Sequence, residues 1–224
     1  MKQGAIFDMD GLLLDTERLY YKSMEETARR FGVPHTQAFE DALAGTNDAQ
    51  GIAVIRHFYP TVDAPAMLED CTARVRRWLE RDVPLKPGAR ELPLYFREHG
   101  VRTAVASSTE KALVLRSLRL AGLDGSFDAV VSGQEVAHGK PAPDIFLRAV
   151  ELIGCAPEDC FVFEDSISGC RAGIAAGCAT VMVIDLFQPT EDVRAGCVGI
   201  FRSLPEVQQA LERGKLSQHV PGTP

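Results

Sequence analysis

Apolar positions recur along this chain with two different periods, and the change of period divides it. Leu19, Tyr20, Met24, Thr27, Ala28 and Phe31 repeat at helical spacing, with Gly32 and Pro34 as stop signals and Asp15 or Thr16 as candidate caps. Ile52, Ile55, Phe58 and Tyr59 repeat the same spacing before Pro60, and Leu68, Cys71, Val75, Trp78 and Leu79 repeat it again. Residues from about 14 to 85 therefore predict an all-helical block, and the Pro- and Gly-containing stretch 83–88 reads as a return linker.

From Gly88 onward, short apolar runs alternate with helical patterns. Helices are predicted over 89–99 and 109–121, with strands over 101–106 and 129–131. A helix opened by Pro141-Ala142-Pro143-Asp144 follows, then a strand over 160–163, a helix striped with Gly169, Gly173 and Gly177, and a strand over 180–184. With Ala5-Ile6-Phe7 as a first strand, the alternation predicts an α/β protein whose doubly wound parallel sheet is covered on both faces. The helical block is then an insertion after the first strand. The expected division is a core of 1–14 and 87–214, an inserted domain of 15–86 and a tail of 215–224.

Composition narrows the partners. The 224 residues are 46% apolar and 25% charged, which suits a globular protein with a sizeable core. The net charge is −7 and no basic run is interleaved with aromatics, so nucleic acid is not an expected partner. Six cysteines show no C-x-x-C pair and no His spacing suited to zinc, which predicts thiols in a reducing cytoplasm. Only a three-residue apolar run, Ala5-Ile6-Phe7, precedes Asp8 and no window approaches a membrane span, so neither a signal peptide nor a membrane partner is expected. Nothing in the sequence fixes an oligomeric state, and a monomer is compatible with it.

Candidate chemistry collects at the predicted strand ends, where open α/β sheets place their ligands. Asp8 and Asp10 leave the first strand two residues apart, so both address one small volume, and two carboxylates so close call for a cation. A calcium hand is set aside, because its third position is Leu12 here and its glycine falls fourth rather than sixth. The strand over 101–106 runs into Ser107-Ser108-Thr109, whose hydroxyls and amides suit an anion, although Ser107 alone could be a helix cap. Lys140 between Gly139 and Pro141 alone would read as a solvated loop residue. Glu164-Asp165-Ser166 supplies a second acidic pair. The glycine stripe asks for close approach to the sheet, with Gly177 a candidate helix stop. Together these features point to metal-assisted phosphoryl transfer.

Four stretches, in order, resemble the motifs of the haloacid dehalogenase (HAD) superfamily: Phe7-Asp8-Met9-Asp10-Gly11, Ala106-Ser107, Gly139-Lys140-Pro141-Ala142-Pro143-Asp144 and Phe163-Glu164-Asp165-Ser166. The helical insertion is similar to the small cap of the phosphatase and phosphomutase branch, and FDMDGLLLDTERLY resembles its pseudouridine-5′-phosphatase and sugar-phosphatase members. The resemblance implies that Asp8 is the nucleophile, forming an aspartyl-phosphate, and that Asp10 is the general acid and base. It implies Mg²⁺ on Asp8, the Asp10 carbonyl and Asp165, with Glu164 at or behind the metal. Ser107, Ser108, Lys140 and Gly11 would meet the phosphate of a small phosphomonoester. The inserted domain would supply specificity through Glu17, Tyr20, Tyr21 and the loop Gly45-Thr46-Asn47-Asp48.

The β-phosphoglucomutase-like members carry a histidine where Tyr20 stands and an arginine that the 45–48 loop lacks, which favours hydrolysis over the mutase alternative. For Tyr20, packing within the inserted domain is the competing reading. A receiver-like phospho-acceptor would lack the helical insertion, and a dehalogenase would lack the second aspartate, Asp10. Arg74, Arg76, Arg77 and Arg81 share a predicted helix and either reach a second charged group or form its solvated face.

Overall fold

The computed structural model describes residues 2–43, 46, 48–81 and 83–216. The chain divides into two compact units, Met1–Leu14 with Pro84–Pro224, and Asp15–Val83.

The first unit is built on six parallel strands, β1 (Gly4–Phe7), β2 (Arg102–Ser107), β3 (Ala129–Ser132), β4 (Cys160–Glu164), β5 (Ala179–Val183) and β6 (Gly199–Phe201), ordered β3-β2-β1-β4-β5-β6. β1 lies centrally, hydrogen-bonded to β2 and β4, and is buried along its whole length. That explains its uninterrupted apolar run, since a strand covered on both faces has no polar side to alternate.

Neighbouring residues of β1 face opposite ways. Phe7 stacks on Phe163 at 4.9 Å and meets Phe96 of α5 (Glu91–Glu98) edge-on. Ile6 packs on the other side with Ala104, Val162 and the apolar stripe of α7 (Asp144–Ile153), Phe146, Ala149, Val150 and Ile153. Asp8 continues the Ile6 parity, so it emerges on the α7 side. The loop that delivers Lys140 leads into α7.

α6 (Lys111–Leu120) follows β2, and α8 (Ile167–Ala175) follows β4 with Ser166 as its cap. The chain closes with α9 (Glu191–Gly196), β6 and α10 (Leu204–Glu212), three elements that the apolar pattern does not predict. Leu216 is buried against this end of the sheet, so the packed core runs two residues into the expected 215–224 tail, whose remainder lies outside the described residues.

The second unit holds α1 (Thr16–Phe31), α2 (Gln37–Leu43), α3 (Asp48–Phe58) and α4 (Ala64–Leu79) around Met24, Ala28, Phe39, Ile55, Met67 and Cys71. Gly32 ends α1 in the left-handed conformation, as its sequence predicts. Asp15 occupies the N-cap position without a side-chain cap bond; it pairs with Arg18 instead. Arg74 is not part of a solvated face. It is buried, donating to the Ser23 carbonyl and the Thr27 hydroxyl, and pairs with Asp70 and Glu26, which ties α4 to α1. Arg76 pairs at the surface with Glu69.

Among the described residues no helix is long and apolar enough to cross a membrane, and all six cysteines are free thiols.

Candidate active site

The carboxyl ends of β1, β2 and β4 bring Asp8, Asp10, Ser107, Glu164 and Asp165 to one edge of the sheet, and the loop after β3 adds Lys140. Asp8 is held at the strand end by its N–H on the Phe163 carbonyl at 3.0 Å. The chain then turns sharply, with the Leu13 and Leu14 amides bonded back to the Met9 carbonyl, and Asp10 sits half-buried in that turn.

Lys140 is the hub. Its buried ammonium donates to Asp8 Oδ1 at 2.5 Å, to Glu164 Oε1 at 2.6 Å and to the Ala106 carbonyl at 3.3 Å, and lies 5.1 Å over the Phe146 ring. A lysine in a glycine-proline loop was open to a solvated reading; only the fold shows that it turns inward. The loop itself is pinned by Asp144, whose carboxylate accepts from the His138 amide and ring.

Glu164 is fully buried and engaged at both oxygens. Oε1 takes Lys140, while Oε2 accepts from the Asp165 amide at 3.1 Å, the Ser166 amide at 3.0 Å and the Ser166 hydroxyl at 2.9 Å. Ser166 in turn accepts the Gly169 amide, so one residue caps α8 and secures Glu164. A Cβ on Gly169 would fall 1.8 Å from Glu164 Oε1. One on Gly173 would fall 2.6 Å from Thr180 Oγ1 and 2.9 Å from Val162, while Gly177 lies just past the helix at φ +78°. The stripe therefore serves three ends: room for a site carboxylate, contact with the sheet, and a helix stop.

Gly11 is equally constrained. Its φ is +86°, and a Cβ there would sit 2.3 Å from Asp165 Oδ2. Only glycine lets Asp165 approach the turn that carries Asp10.

Burial pushes the Asp8 carboxyl up, to about 8; Lys140 opposes this, while Glu164 and Asp10 add to it. Burial likewise raises Asp165, with Glu164 and Asp8 adding and Lys140 opposing. Lys140 is pulled the other way: burial disfavours its charge, but Asp8 and Glu164 outweigh it and raise its pKa. The site thus holds more negative charge than its one buried lysine balances, and a divalent cation beside Asp8 and Asp165 would return both to their anions. Among the described residues no three His, Cys, Asp or Glu side chains are grouped to hold a metal. Asp8 and Asp165, close enough that Asp8 raises the Asp165 pKa, offer the hard carboxylate oxygens that suit Mg²⁺, which keeps waters and takes phosphate oxygens.

Ser107 is buried, accepting the Thr109 amide at 3.0 Å and donating to Asp10 Oδ2 at 3.3 Å. Thr109 also donates to Asp10 Oδ2, at 2.8 Å. The sequence groups Thr109 with its two neighbours as an anion holder, and its bond to Asp10 carries no motif signal. Ser108 is exposed, with its backbone against Gly133. Tyr20 is 42% exposed on α1, and Glu17 and Tyr21 lie on the same helix. Gly45 and Asn47 fall outside the described residues, and only the backbone of Asp48 is described.

Residues 5–183 match the family model described as haloacid dehalogenase-like hydrolase. The chain is 34% identical over 179 residues to a phosphorylated carbohydrates phosphatase of Thermotoga maritima, covering 78% of this chain and 82% of the relative. It is 36% identical over 182 residues to the fructose-1-phosphate phosphatase YqaB of Escherichia coli, covering 80% and 95%. Among solved structures, a HAD family hydrolase from Deinococcus radiodurans with bound phosphate and sodium superposes with a TM-score of 0.82 at 26% identity, covering 96% of this chain and 97% of that one.

Proposed function

This chain belongs to the haloacid dehalogenase-like hydrolases and is a phosphatase of that family, and from that premise we propose that it hydrolyses small phosphomonoesters through an aspartyl-phosphate on Asp8. Sugar, polyol and nucleoside phosphates are the substrate class. The observation that carries this reading is the buried Lys140 joined at once to Asp8 and Glu164, with Asp10 and Ser107 beside them.

In the first half-reaction the Asp8 carboxylate attacks phosphorus, a P–O bond forms to Asp8, and the ester P–O bond breaks as Asp10 gives its proton to the departing oxygen. Lys140 and the Ser107 hydroxyl hold phosphate oxygens through the displacement. In the second, Asp10 takes a proton from water, whose oxygen attacks phosphorus and frees Asp8 and inorganic phosphate. Glu164 keeps Lys140 in place; with both oxygens already engaged it stands behind the metal rather than on it. Asp8, the Asp10 carbonyl and Asp165 would hold Mg²⁺, which supplies positive charge between a carboxylate and a phosphate that would otherwise repel each other.

The purified protein with Mg²⁺, offered a panel of sugar, polyol and nucleoside phosphates, is expected to release inorganic phosphate, and to stop on chelation of the metal. Asp8→Asn keeps the shape of the residue but has no nucleophilic oxygen anion, so turnover should fall to background while the fold survives. Substantial turnover by Asp8→Asn would overturn the covalent mechanism.

A further inference from the structure

We propose that Thr109 is a positioning residue for Asp10, holding its carboxylate by Oδ2 so that the transferable proton is carried on the opposite oxygen, Oδ1. The proposal rests on the acid–base reading of Asp10 above.

Two hydroxyls donate to the same oxygen of Asp10, Thr109 at 2.8 Å and Ser107 at 3.3 Å. A hydroxyl has one proton to give. When Ser107 turns that proton to a phosphate oxygen it releases Asp10, and the Thr109 bond is then the one of the pair that persists. An oxygen that accepts from Thr109 throughout acts as the carbonyl oxygen of the protonated acid, so the proton belongs on Oδ1. The bond thereby sets both the rotamer of Asp10 and the oxygen that serves the leaving group.

Thr109 is itself held firmly enough for this task. Its N–H is taken by Ser107 Oγ at 3.0 Å, and its carbonyl accepts the hydroxyl of Ser132 at 2.7 Å. Ser132, at the end of β3, is fully buried and fixed by a reciprocal cap with Glu135. Its neighbour Gly133 presses on the same loop, where an added Cβ would lie 3.1 Å from the Ser108 carbonyl. β3 thus braces the segment whose hydroxyl reaches Asp10, although the strand contributes no group to the chemistry. Lys140 and Glu164 form a different network, on Asp8.

The test compares Thr109→Val, which keeps the shape and loses the hydroxyl, with Thr109→Ser, which keeps the hydroxyl. Each is assayed on an alkyl phosphate and on p-nitrophenyl phosphate, whose leaving group departs without a proton. Because kcat/KM reports events up to release of that group, Thr109→Val should lose about tenfold on the alkyl ester and little on the nitrophenyl ester. Inhibition by inorganic phosphate should not change, and Thr109→Ser should restore the alkyl activity. Equal loss on both esters, or weaker inhibition by phosphate, would make Thr109 a structural residue or a phosphate ligand and overturn the proposal. Asp10→Asn is the control: if it fails to separate the two esters, the acid–base reading of Asp10 falls first and takes this inference with it.

Discussion

At the scale of single residues, Asp8 and Asp10 differ by what touches them. Asp8 is buried against a lysine, while Asp10 is half-buried and held by neutral hydroxyls, which suits a nucleophile and a proton carrier respectively. General acid–base groups contribute about 10²–10⁴-fold, and the metal bond assigned to Asp10 runs through its backbone, so Asp10→Asn should cost turnover on that scale and leave Mg²⁺ affinity nearly intact. Calorimetric titration with Mg²⁺ checks it: a loss of affinity matching that of Asp165→Asn would make the Asp10 side chain a ligand. These carboxylates were legible in the sequence as an acidic pair leaving the end of an apolar strand, although Asp10 is placed by the turn after β1 and not by strand parity. Thr109 was not, because its partner lies 99 positions away in the chain and no local rule pairs them. The burial of Arg74 was hidden for a related reason. Helical spacing offers Asp70 one turn away on α4, but gives no hint of Ser23, Thr27 and Glu26 on α1, which draw the guanidinium inward.

Whole elements show how backbone decisions reach the chemistry. Position 169 of α8 must be glycine because Glu164 fills the space a Cβ would need, and Glu164 cannot swing away while Lys140 and three other donors fix it. Gly169→Ala should therefore lower turnover at least tenfold as well as stability, by displacing the lysine's anchor. Gly177→Ala, strained at φ +78° but remote from Glu164, should cost about 1–2 kcal/mol and leave kcat unchanged. Thermal melts and steady-state rates on the two variants separate these effects, and equal rates for both would refute the assignment. The α1–α4 pair offers a second test. Burial raises the Asp70 carboxyl, but the Thr27 hydroxyl, Arg74 and Arg30 outweigh it and hold its pKa below the ordinary value. A depressed folded pKa gives stability above the unfolded pKa that is lost as pH falls through the folded one. Asp70→Asn should thus be less stable than the parent by about 2 kcal/mol at pH 7, with the gap closing below pH 4. A gap independent of pH in denaturant titrations would show that shape, not charge, is what Asp70 supplies.

For the whole molecule, the parallel sheet and the gathering of polar groups at its carboxyl ends followed from the alternation of patterns, whereas the order of the strands is known from the fold alone. The segment after β5 did not follow, because β6 is three half-buried residues and α9 six, too short for periodicity to show. What the assembled protein does with its phosphoryl group turns on the acceptor. Passing it to a sugar rather than to water requires a closed site in which groups sense the sugar hydroxyl and relay its proton. The resemblance implies that the mutase-like members place a histidine where this chain has Tyr20, and imidazole is the side chain suited to such a relay near neutral pH. On the proposed reading water is the acceptor, and one equivalent of inorganic phosphate should appear for each substrate consumed. β-Glucose 1-phosphate separates the two fates in one assay, by following free phosphate and glucose 6-phosphate together. Formation of glucose 6-phosphate well ahead of phosphate would make the chain a mutase, whereas phosphate release without isomerisation follows directly from an aspartyl-phosphate open to water.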